Sequence, residues 1–116
     1  MAVYFYTTDA KGLLAKFDSA IRQKEAKGKI TTWEPSDDGK YYTHKAADWN
    51  KKAWFRPHVD AKFLRFNIIK PKSSKVGKLT YAYYHGHLIE TILNHFDDNF
   101  TSGSATAQQD TDDLCS

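Results

Sequence analysis

The chain contains a single cysteine, Cys115, has no apolar run longer than a few residues, and carries no lysine or arginine after Lys78. A lone cysteine excludes an internal disulfide and every paired-cysteine zinc spacing, and it fits a reducing compartment. The apolar runs fall far short of the roughly 18 residues of a membrane span. No basic-then-apolar leader precedes AVYFYTT, so a cytoplasmic location and no membrane partner are the expectation. HExxH is missing as well, and PKSSKVGK lacks the spacing of a Walker loop, so no metal and no small-molecule cofactor is implied.

The missing cations at one end mean that charge is split along the chain. Seventeen Lys and Arg stand against nine acids before residue 97, and five acids with no cation follow: Asp97, Asp98, Asp110, Asp112 and Asp113. Residues 40–85 alone hold eleven basic residues against two acidic, which is where an anionic partner would bind. Aromatic residues make up 15% of the chain, and several are interleaved with that basic stretch.

Periodicity divides residues 1–100 into the elements of one small domain. AVYFYTT reads as a strand. From Asp9, Ala10, Leu13, Leu14, Phe17, Ala20 and Ile21 recur at three and four, the stripe of an amphipathic helix capped by Thr8 or Asp9 and ended by Gly28. ITTWEP and KYYTH flank SDDG as a hairpin, and KAADWNKKA suits one or two helical turns. AWFRPHV and KFLRFNIIKP form a second hairpin, in which Pro57 demands a sheet edge or a bulge. LTYAYY reads as a last strand, turning at His85-Gly86-His87 into a helix striped by Leu88, Ile89, Ile92, Leu93 and Phe96. Residues 101–116 carry almost nothing apolar to bury and are expected to form a disordered acidic tail. The predicted fold is an α+β two-layer sandwich, a mostly antiparallel sheet of about five or six strands with two amphipathic helices on one face.

Three of the five histidines fall within residues 85–95. The plain reading of His85 and His87 is a strand-to-helix turn with Gly86 supplying freedom. A metal reading would need His85, His87 and Glu90 to converge. An acid–base reading takes His85, His87 or His58 as proton carriers, with Arg56 or Arg65 stabilising a phosphorane, as in a small metal-independent ribonuclease.

The basic, aromatic stretch supports a reading that asks less of the sequence. Lys51, Lys52, Trp49, Trp54, Arg56, Arg65, Lys72, Lys75, Lys78 and Tyr83 combine cations for a phosphate backbone with rings for unpaired bases. The leading expectation is therefore a non-enzymatic binding module for single-stranded nucleic acid or an acidic protein, over which the acidic tail could fold back. The alternatives are the ribonuclease and a protein-interaction role, either an inhibitor or immunity-type protein or a homodimer formed through a sheet edge.

Overall fold

A computed structural model describes all 116 residues. Six strands and two helices follow one another as β1 (Val3–Tyr6), α1 (Ala10–Arg22), β2 (Trp33–Pro35), β3 (Tyr42–His44), β4 (Trp54–Val59), β5 (Phe63–Ile69), α2 (Lys78–Phe96) and β6 (Ser102–Ala105), with a 3-10 turn at Asp97–Asn99. The strands make one sheet in the order β2-β3-β4-β5-β1-β6, every neighbouring pair antiparallel. Both helices cover the same face, so the α+β two-layer architecture holds.

Alternation along each strand explains which face is covered. Val3 and Phe5 of β1, Phe55 of β4, and Leu64, Phe66 and Ile68 of β5 point to the helices and are buried. Leu13 and Phe17 of α1 and Tyr84, Leu88 and Ile92 of α2 close the core from above. Burying the larger of these side chains stabilises the fold by roughly 1.5–3 kcal/mol each. Asp9 caps α1 by accepting from the Gly12 amide at 3.0 Å. The helix ends at Arg22, earlier than Gly28, whose φ of +74° instead serves the turn that follows.

Pro57 sits in β4, between β3 and β5. β3 registers with β4 only at Tyr42↔Phe55, so β4 becomes a free edge past that point and Pro57 has no ladder bond to donate there. KAADWNKKA forms turns without an α-helix.

Two segments depart from the sequence-based expectation. LTYAYY is no strand: it is the first half of α2, and Gly86 lies inside a continuous helix with no turn around it. Tyr81, Tyr84, His85, Leu88 and Ile92 continue the 3.6-residue stripe backwards, and their burial against the sheet overrides the β-preference of the tyrosines. The expected disordered tail is also replaced. Ser102–Ala105 pairs with β1 as β6, Leu114 bridges to Ile69, and Cys115 is buried. The ordering comes from hydrogen bonds, to which an apolar-content estimate is blind: the Leu114 amide donates to Ile68 O at 2.9 Å, and Lys70 N and Val76 N donate to Leu114 O and Cys115 O.

The Tyr84 hydroxyl joins the layers, bonding the Trp49 carbonyl, Thr43 Oγ1 at 3.2 Å and the Ala53 amide at 3.3 Å. Tyr84→Phe orphans that buried amide and should cost about 1–3 kcal/mol. Urea denaturation checks this; an unchanged midpoint would remove the hydroxyl from any structural role.

Candidate functional site

Because both helices lie on one side, the other face of the sheet is open. Trp54, Arg56 and His58 of β4 stand there beside Ile69, Asn67 and Arg65 of β5, each directly across the ladder from its partner. Tyr4 and Tyr6 of β1 continue the row opposite Arg65 and Phe63. Tyr4 and Tyr6 pack edge-on against Phe63, at centroid distances of 5.1 and 6.2 Å.

Where β4 and β5 meet the loop after β5, a cleft of about 590 Å³ opens. Tyr41, Trp54, Ile69 and Pro71 form its apolar walls, and Lys51, Lys70 and Lys72 stand around them. Lys51 is held there by its backbone, in the left-handed region at φ +58° with its amide donating to Thr43 Oγ1 at 2.9 Å. Trp54 and Lys51 also border a second hollow, whose far wall carries Glu34, Asp37 and Asp38, so the cleft is cationic on one side and acidic on the other.

Further along the face, Arg56, His58, Arg65, Asn67 and Asp112 line a small cavity of about 110 Å³. Arg65 is fixed within it: Nε donates to Asn67 Oδ1 at 2.8 Å, and Nη2 donates to Asp112 Oδ2 at 3.0 Å. Asn67 in turn donates to Thr111 O at 2.9 Å and to Asp113 Oδ1 at 2.8 Å. Tyr4 donates its hydroxyl to Asp110. That bond, more than burial, raises the Tyr4 pKa, and its counterpart lowers that of Asp110. The acidic segment therefore lies against the open face of the sheet at Tyr4 and Arg65.

The histidines are arranged otherwise than the metal reading requires, and of the three acid–base candidates only His58 stands with Arg56 and Arg65. His85 is buried in the helical layer against Phe55, its ring nitrogens facing Tyr81 O at 2.5 Å and the Met1 carbonyl. His87 points to His44, Nδ1 to Nε2 at 3.4 Å. Neither comes near Arg56 or Arg65, which lie across the sheet, and only His58 shares their face. Glu90 is exposed, and no group of three or more His, Cys, Asp or Glu is placed to hold a metal.

His44, His87, Tyr83 and Trp49 instead make a packed cluster between β3 and α2. Trp49 stacks on Tyr83 at 3.8 Å, and Tyr83 on His87 at 4.0 Å. The Ala46 amide donates to His44 Nδ1 at 3.1 Å, which keeps that nitrogen unprotonated and leaves Nε2 to donate to His87.

Of the ten sequence-selected binding residues, Lys51, Trp54 and Lys72 surround the cleft, while Arg56 and Arg65 line the same open face. Trp49 and Tyr83 face one another elsewhere, Lys52 is exposed in the turn before β4, and Lys75 and Lys78 stand near the start of α2. Tyr4, Tyr41, Ile69, Lys70, Asn67 and the docked aspartates were missed. The period-two alternation of VYFY and FLRFNII carried the signal for Tyr4, Asn67 and Ile69, since it already separated the two faces of their strands. Compared with known protein families, curated proteins and solved structures, the chain matches none of them significantly.

Burial lowers the pKa of both His44 and His85, with His87 adding to the effect at His44. The unfolded state, with histidines near 6.5, then binds more protons than the native state, so stability is full above about pH 6.5 and falls below it. Urea midpoints measured from pH 8 to 5 should show this decline, and His44→Asn should flatten it; an equal slope in the variant would exclude His44 as a source.

Proposed function

We propose that the protein is a small non-enzymatic binding module whose open sheet face takes an extended anionic partner, with single-stranded nucleic acid the best fit. One observation carries this reading: Tyr41 and Trp54 share a cleft with Lys51, Lys70 and Lys72, and Arg56, His58 and Arg65 continue on the same face. Unpaired bases need ring faces on which to stack, and the backbone that follows them needs cations. A duplex hides its base faces and could use only the cations. An acidic protein would satisfy the cations but has less use for the rings. A cytoplasmic setting belongs to the same proposal.

The three tryptophans make the test direct. Trp33 is buried and Trp49 is covered by Tyr83, which leaves Trp54 at the cleft. Titration with a single-stranded oligonucleotide at low salt should quench fluorescence, and Trp54→Phe should remove most of that signal. Trp54→Ala should weaken binding by about 1–3 kcal/mol, the usual worth of one stacked base. Lys72→Gln should lower the log-log salt slope by about 0.7, the share of one phosphate on a single strand. No quenching at low salt would rule out this mode of binding.

Asp112 qualifies the surface. It is the exposed partner of Arg65, standing at φ +72°, and its carboxylate occupies the position that a phosphate would take. Asparagine tolerates the same backbone, so Asp112→Asn frees the guanidinium without disturbing the fold. Affinity should rise severalfold at low salt and the salt slope should steepen by about 0.7. Unchanged affinity and slope in a protein that does bind would mean that Arg65 takes no phosphate.

A further inference from the structure

The outer face of α2 has no partner within the chain, and it carries large apolar side chains. Leu79 is 75% exposed and Leu93 50%, two of only five large hydrophobic residues on the surface. At 100° per residue, Leu79, Gly86 and Leu93 fall within about 40° of one another, and Ala82 lies beside them. The exposed Glu90 stands on the same face about 40° from Gly86, where a two-fold at Gly86 would set it against Ala82 of a second copy. The stripe is about 21 Å long at 1.5 Å per residue.

This stripe is symmetric about Gly86, with leucine seven residues away on each side. The charges at its two ends are opposite. Lys75 and Lys78 stand at the start of the helix, Asp97 and Asp98 at its end, all of them exposed and none in an ion pair within the chain. Gly86 has no intramolecular reason to be glycine. A Cβ added there meets nothing within 4 Å, although glycine inside a helix costs about 1 kcal/mol relative to alanine.

We propose that α2 pairs antiparallel with α2 of a second copy of this chain, the two-fold axis passing at Gly86. Leu79 of each copy then lies against Leu93 of the other, and the lysine end of each helix meets the aspartate end of its neighbour. Gly86 faces its own symmetry mate, where the missing side chain lets the backbones approach closely. Opposed helix dipoles favour the same orientation. The interface uses the helical layer and leaves the open sheet face free, so it stands independently of the nucleic-acid proposal.

Analytical ultracentrifugation of the full chain from low micromolar to submillimolar concentration should show the 13.3 kDa monomer giving way to a species of twice that mass. Gly86→Leu should keep the fold and raise the thermal midpoint of the monomer while abolishing association. Lys75→Glu with Lys78→Glu should weaken association at least tenfold, as should Asp97→Lys with Asp98→Lys. The four changes together should restore it. A monomer at every concentration, a Gly86→Leu variant that still dimerises, or a fourfold charge swap that fails to rescue would each overturn the proposal.

Discussion

The fold and the proposed surface both turn on the carboxylate of Asp113, whose side chain is fully buried. A buried charge costs several kcal/mol unless its lone pairs are satisfied. Here Asn67 Nδ2, the Ile68 amide and the Asp110 amide all donate to it, at 2.8, 3.1 and 2.7 Å, and the Met1 ammonium stands 3.7 Å away. Those bonds seat the last residues against the side of β5 that β1 leaves uncovered. They also bring Asp110 to Tyr4 and Asp112 to Arg65 on the open face of the sheet.

That dependence explains what the sequence concealed. The strands β1, β4 and β5, helix α1 and the two-layer class follow from alternation and from the stripe of Leu13, Phe17 and Ile21. The ordering of residues 101–116 does not, because SGSATAQQD buries almost no apolar surface and its order rests on backbone pairing to β1 and β5, partners distant in sequence. The start of α2 was hidden for another reason. LTYAYY favours a strand locally, and only the burial of Tyr84 against Trp33 and Phe55, visible in three dimensions, makes the helix the better choice.

The candidate site was legible to the extent that it depends on alternation and charge. Trp54, Arg56 and Arg65 sit in strands whose facing could be read, and the structure sets them on one surface. Trp49 and Tyr83 share the same composition of neighbours, yet they are used to pack one another. Ring count alone cannot separate a stacking platform from a packed cluster; the difference lies in whether a second layer covers that side of the sheet. The histidines teach the same lesson, since two residues separated by a glycine suggested one site and the helix sends their rings to different neighbours.

The position of β1 in the sheet has a kinetic consequence. Its two partners come from Phe63–Phe66 and Ser102–Ala105, both far from it in sequence. The β4–β5 hairpin can close locally, whereas every bond of β1 spans a long loop. Pairings of that kind slow folding because the loop entropy is lost before the contacts are gained. The backbone edges of VYFY therefore wait for partners distant in sequence, and refolding should be slower than the chain's length alone would suggest.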